Sequence, residues 1–170
     1  MTLRPSLEEV RNLGHHATNY NWGIQFLSLP RGLDNFTSAD LNTRAISADV
    51  PTRSINPINL NLRGHKWFQH GTVDYKNKFT IDLYETVDTK VGNFLDAYMD
   101  MEWTPIAGVQ VPKMLNQCAF MLSLLDSYDK TRRYYTIIGA WLQDFTTSKM
   151  ESNDGDVVVF STTWQYDYYI

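Results

Sequence analysis

The 170-residue chain carries a single cysteine, Cys118, which excludes an internal disulfide framework and any zinc cluster built on cysteines. Long apolar runs are missing too. The longest, Cys118–Leu125, is interrupted by Ser123 and falls far short of the roughly 20 residues that a membrane-spanning helix needs. The N-terminal stretch Met1–Gly14 has no apolar core and carries Glu8 and Glu9, unlike a signal peptide. There is no glycine-rich phosphate loop, internal repeat or low-complexity tract. The densest basic cluster, Lys130-Thr131-Arg132-Arg133, sits between two strand-like runs and reads as a solvated hairpin turn before it reads as a phosphate site. With 43% hydrophobic and 20% charged residues the chain lies outside the disordered class. Its length fits one domain over 1–170, with 1–20 as an N-terminal arm, soluble and made in a cytoplasm.

Aromatic residues are plentiful by contrast: five Trp, ten Tyr and eight Phe, crowded at the C-terminus as Tyr166, Tyr168 and Tyr169. Large amphipathic rings suit either a sheet core or a subunit interface. Charge is uneven. Residues 1–75 hold seven Lys/Arg against six Asp/Glu, whereas residues 76–170 hold eight against thirteen, a net of −5.

The chain reads as strands around one helix. Ser6-Leu7-Glu8-Glu9 is a capping box, followed by Leu7, Val10 and Leu13 at helical spacing and Gly14 as a stop, which predicts a short N-terminal helix. Trp22, Ile24 and Phe26 alternate as a half-buried strand does, and so do Phe79, Ile81 and Leu83. Leu41–Val50 is a weaker strand. Val50–Pro57 reads as a loop because Pro51 and Pro57 cannot donate to a ladder. Asn59–Phe68 resumes extended structure, with Gly64 placed as a bulge. Val91, Phe94, Leu95, Tyr98 and Met101 form one helical stripe, which predicts a packed helix over about 88–102, capped by Asp88 and ended at Thr104-Pro105, with Gly92 admitting close packing on the sheet. Three strands follow: Cys118–Tyr128, Tyr134–Phe145 and Asp156–Ile170. The first two are apolar on both faces, Ile137 and Trp141 opposing Ile138 and Leu142, so either the sheet folds over itself or another subunit covers it. In the last, Val158, Phe160, Trp164, Tyr166, Tyr168 and Ile170 share one face, with Thr162 interrupting. The fold class is mainly β: an antiparallel sandwich or barrel with one packed helix.

Chemistry-bearing constellations do not emerge. His15-His16 lies beside a helix stop, and His65 and His70 have opposite parity in strand-like sequence, so they share no metal. Cys118 has no neighbouring charge to stabilise a thiolate and reads as a buried small hydrophobe. Asp96, Asp100 and Glu102 belong to the solvated side of the helix. No catalytic, cofactor or metal residues are assigned.

The order of these segments resembles the tail tube proteins of contractile-tailed bacteriophages, a family that includes the inner tubes of type VI secretion and contractile injection systems. The resemblance runs from Asn21 to Ile170. Asn21-Trp22-Gly23-Ile24-Gln25-Phe26 looks like the first barrel strand, and Arg44–Pro51 like the second running into a proline-containing loop. Phe79–Leu83 with the helix from Thr89 matches the mid-chain strand–helix step. Ile138-Gly139-Ala140-Trp141, the polar linker Asn153–Asp156 and the ending Tyr166-Asp167-Tyr168-Tyr169 match the family's closing strands, with Leu142 standing where relatives carry proline.

The resemblance implies a non-enzymatic virion protein, assembled in the host cytoplasm, whose hexameric rings stack into a tail tube. The lumen conducts DNA, and the neighbours are the tail sheath, baseplate, tail-terminator and tape-measure proteins, with no membrane or cofactor. An acidic lumen wall repels DNA over a Debye length of about 8–10 Å. Relatives project the loop after the second strand onto the adjacent ring, which assigns Val50, Pro51, Thr52, Arg53, Ser54, Ile55, Asn56 and Pro57 to an inter-ring contact. The one-sided C-terminal series assigns Trp164, Tyr166, Tyr168 and Ile170 to a subunit interface. The alternatives are a baseplate initiator or terminator ring, the tube of an injection or secretion system, a ligand-binding barrel, and an enzyme whose site motif reading does not see.

Overall fold

The computed structural model describes residues 21–33, 35–104, 108–148 and 157–170. The predicted N-terminal helix, His15-His16, Pro105 and the linker Asn153–Asp156 lie outside them. Eleven strands and three helices are described. The strands are β1 Trp22–Ser28, β2 Ala45–Ala48, β3 Arg53–Leu62, β4 His65–Tyr75, β5 Lys78–Tyr84, β6 Trp103–Thr104, β7 Val109–Gln110, β8 Cys118–Leu125, β9 Thr131–Thr147, β10 Val159–Gln165 and β11 Tyr168–Tyr169. The helices are α1 Ser38–Asn42, α2 Lys90–Glu102 and α3 Lys113–Asn116.

Seven strands make one antiparallel sheet in the order β1-β8-β9-β10-β5-β2, with β11 also on β9. The sheet folds over itself, which covers one face of the two-faced strands, while Met121, Ile138 and Trp141 on the other stay half-buried. Phe120 of β8 stands 5.3 Å from Phe79 of β5 and 4.8 Å from Trp164 of β10, so rings from the two halves meet across the interior. Trp164 is fully buried among Phe26, Phe120 and Tyr98. Thr162, the polar interruption of its face, accepts from the indole Nε1 at 2.8 Å and donates to the Ile81 carbonyl at 2.8 Å. A buried donor left unpaired is expensive, so this hydroxyl is what allows a tryptophan at the centre.

The predicted helix stripe is met: Val91, Phe94, Leu95 and Tyr98 are buried. Its cap is not Asp88. Thr89 holds the cap position in the left-handed region without a side-chain bond, and Glu85 accepts from Val91 N at 3.3 Å and Gly92 N at 2.6 Å. A carboxylate there suits the helix's positive end. Asp88 instead takes Arg44 Nη2 at 3.0 Å and the Thr86 hydroxyl, and those partners hold its carboxyl below the usual range, the Thr86 bond foremost. Gly92 lies as expected against the sheet, where a Cβ would stand 3.3 Å from the Phe160 ring.

Four further readings are corrected. Leu41–Val50 is not one strand: Thr37 caps the short α1, Leu41 is buried in it, and only Ala45–Ala48 is extended. Asp156–Ile170 is not one strand either, because β10 stops at Gln165 and pairing resumes at β11. On β9 the facing residues are Ile137, Ala140 and Leu142, all buried. Gly139, at φ +68°, occupies a bulge that inverts the parity of the strand, so Ile137 and Leu142 share the core rather than opposing each other. The fourth correction concerns Val50–Pro57.

Candidate assembly surfaces

Val50–Pro57 is a loop only as far as Thr52. From Arg53 the chain is β3, paired to β4 from Arg53↔Tyr75 to Leu62↔His65. Pro57 is tolerated because the two strands form a separate two-stranded ribbon, whose outer edges need no donor. Gly64 is no bulge. With Arg63 it forms the two-residue turn, both at positive φ (49° and 85°), the geometry of a type I′ hairpin. The bulge lies at the other end, where Gly71-Thr72 of β4 oppose Asn56 alone. A Cβ on Gly71 would run into the Asn56 carbonyl oxygen, so glycine is required there.

At about 3.3 Å per residue the ribbon is an arm of roughly 33 Å. Its residues are exposed almost throughout, Leu60, Gly71 and Tyr75 being half-buried. Tyr75 roots it to the body, its ring 5.6 Å from that of Tyr169. Of the residues assigned to the inter-ring contact, Pro51 is buried, Val50 and Ile55 are exposed, and Arg53–Pro57 form the first half of β3. Sequence reading missed Ile58, Leu62, Trp67, Phe68 and Val73, all exposed on the same arm. The signal was partial: Gly64 stands at the second turn position between two extended runs, but Arg63 occupies the place where Asn or Asp marks a type I′ turn.

The C-terminal assignment divides. Trp164 and Tyr166 are 0% and 1% exposed and belong to the protomer's core, while Tyr168 and Ile170 are 44% and 70% exposed and face outward. Ile170 is nonetheless tied to β9 by two backbone bonds with Thr136, at 2.8 and 3.0 Å.

Elsewhere the chemistry is sparse. A groove of about 480 Å³ opens between β1, β2 and β8, lined by Trp22, Ile46, Val50, Leu122, Leu124 and Tyr135 among others, with no charged side chain in its wall. His65 and His70 fall on opposite faces of the hairpin, as their parity requires. Among the described residues no group of three His, Cys, Asp or Glu could hold a metal ion, and no helix is long and apolar enough to cross a membrane. Cys118 is buried and its thiol is pushed up to about 12 by burial. Asp96 and Asp100 are exposed as expected, but Glu102 is half-buried, and burial lifts its carboxyl to about 7. The 130–133 cluster lies at a hairpin turn. Asp126 accepts from Tyr128 N, Lys130 N and Arg132, with Arg132 2.8 Å away, and Arg133 lies over the Tyr135 ring.

No family model matches the chain, and no curated protein does. Solved structures do. A chain in the 6-fold-symmetrised baseplate of the anti-feeding prophage matches with a TM-score of 0.65 at 10% identity, over 92% of this chain and 95% of that one. A chain in the tube-terminating cap of the same particle matches at 0.64 and 12%, over 92% and 90%. A chain in the extended sheath–tube complex of an extracellular contractile injection system, PVC, matches at 0.62 and 13%, over 98% and 97%. The architecture is thus that of a mainly antiparallel β protomer from contractile assemblies. More narrowly, the chain has the tail-tube fold, as the order of its sequence segments implied.

Proposed function

We propose that the chain is a structural, non-enzymatic subunit that self-assembles into rings, six to a ring, stacked as the inner tube of a contractile tail. The observation that carries this reading is the β3–β4 hairpin on a tail-tube fold: an arm exposing six large apolar side chains among the described residues. Isolated two-stranded ribbons are marginal in water, so the arm is built to be covered. Val50–Pro57, its root, then contributes to the contact between rings. Tyr168 and Ile170 remain available to a lateral neighbour, and sheath, baseplate, terminator and tape-measure proteins complete the particle. In a phage tail the lumen conducts DNA. The −5 balance of residues 76–170 suits a wall that repels phosphate, and Arg132 and Arg133, already engaged by Asp126 and Tyr135, lie away from the channel in this reading.

A second reading is a ring that starts or ends the tube, in a phage or an injection system. It is favoured by the matches to a baseplate chain and to a chain of a terminating cap. Replacing residues 53–75 by a short Gly/Ser turn separates the cases, since Lys76 N already lies 3.4 Å from Thr52 O. Rings that no longer stack are expected of a tube subunit. Unchanged stacking of the shortened protein would overturn the reading.

A further inference from the structure

The two outer strands of the seven-stranded sheet, β1 and β2, border one groove. Of its lining, Leu122 belongs to the core, Trp22, Ile46, Leu124 and Tyr135 are half-buried, and Val50 is exposed. Cross-strand partners share a face, so Trp22, Leu124 and Arg133 stand in one row, through Trp22↔Leu124 and Leu124↔Arg133. The Arg133 guanidinium lies 4.8 Å from the centre of the Tyr135 ring, and among the described residues no carboxylate pairs with it. The groove is apolar within and cationic at one end.

Connectivity identifies the occupant. The described chain begins at the groove: Asn21 O accepts from Leu125 N at 2.9 Å, and Trp22 is part of the lining. Residues 1–20 precede it, and their sequence predicts a capped helix from Ser6 with Leu7, Val10 and Leu13 in one stripe. A helix that short is not stable alone in water, where about 12–15 residues are needed, so its stripe needs a surface to lie on. Glu9, four residues before Leu13, borders the stripe and supplies an acid for Arg133. The link His15–Asn21 reaches about 24 Å when extended, against roughly 7 Å for Leu122–Leu124. So short a tether holds the segment at millimolar effective concentration beside its own groove, ahead of any other copy.

We infer that residues 6–13 of each chain dock in its own groove, with Leu7, Val10 and Leu13 against the apolar lining and Glu9 beside Arg133. The docked segment bridges the outer strands β1 and β2 and braces Val50, where the chain leaves the body for the arm. This holds whether or not copies of the chain assemble.

Disulfide trapping in the full-length chain tests this. The chain carrying Val10→Cys and Val50→Cys holds three thiols with Cys118. Under mild oxidation it should link within one chain, leaving a single thiol on a monomer-sized band. Val10→Cys with Met114→Cys, whose second site is exposed on α3 beyond the far end of β8, should stay reduced. Adding Leu13→Glu to the first pair should slow linking about tenfold, the loss expected when one buried leucine is replaced. Links between chains would overturn docking in the chain's own groove, and so would three thiols remaining after oxidation. A rate unchanged by Leu13→Glu, or equal linking at Met114, would reduce the contact to tethering alone and overturn it too. None of these results bears on self-assembly, which removal of the arm tests separately.

Discussion

Asp167 occupies the space that a side chain on Gly139 would fill. A Cβ built on Gly139 falls within contact of the Asp167 carboxylate, and Gly139 itself sits at φ +68°. Asp167 N donates to the Ile138 carbonyl at 3.1 Å, and the carboxylate is ion-paired with Lys113 of α3. The two residues mark the point where β9 leaves β11 for β10 and where its parity inverts. The Gly-x-Trp pattern of the sequence therefore has a local physical cause: a bulge with an acid packed into it.

Gly139→Ala should destabilise the protomer by more than the roughly 1–2 kcal/mol that a left-handed conformation costs a residue with a side chain, because Asp167 must also move. Chemical denaturation of Gly139→Ala, Asp167→Ala and the double variant measures it. The two losses should not add, the double variant being less destabilised than their sum.

Thr162→Val should cost about 1–3 kcal/mol, since it leaves the Trp164 indole buried without an acceptor. Thr162→Ser keeps the hydroxyl and should lose less. The same denaturation series, read by tryptophan fluorescence, checks the order.

Glu102 makes stability fall as pH rises. Its carboxyl is lifted by burial from 4.5 to about 7, so between those values the folded chain holds a proton that the unfolded chain has released. The stabilisation is full below about 4.5 and gone above about 7. Asp40, Asp88 and Asp126 are shifted downward instead and titrate below this window. Melting temperatures at pH 5.5 and 8 should differ more for the parent than for Glu102→Gln.

Gly71→Ala should damage assembly without unfolding the body, because its Cβ meets the Asn56 carbonyl within the projecting ribbon and not within the folded sheet. Melting of the protomer should change little while the assembled fraction drops. An unchanged assembled fraction would show that the shape of the arm does not matter.

Strands with one buried face were legible because alternation is a local property: Ile24 and Phe26, or Phe79, Ile81 and Leu83, enter the core as their spacing says. The α2 stripe was legible for the same reason. What escaped was set by tertiary context. Pro57 argues against a strand until β3 and β4 are seen to form a separate two-stranded sheet, and their alternation is hidden because, among the described residues, neither face is buried. Parity counting fails across Gly139, where one extra residue exchanges the faces. The apolar C-terminal series could not say by itself whether its rings meet a partner or their own core. Trp164 and Tyr166 meet the core, and only Tyr168 and Ile170 are left outside.

Electron microscopy of the purified full-length chain across a concentration series tests the central claim most directly. The expected result is six-fold rings that stack end to end as concentration rises, with density from the 53–75 arm bridging successive rings. A monodisperse single copy at every concentration would contradict it.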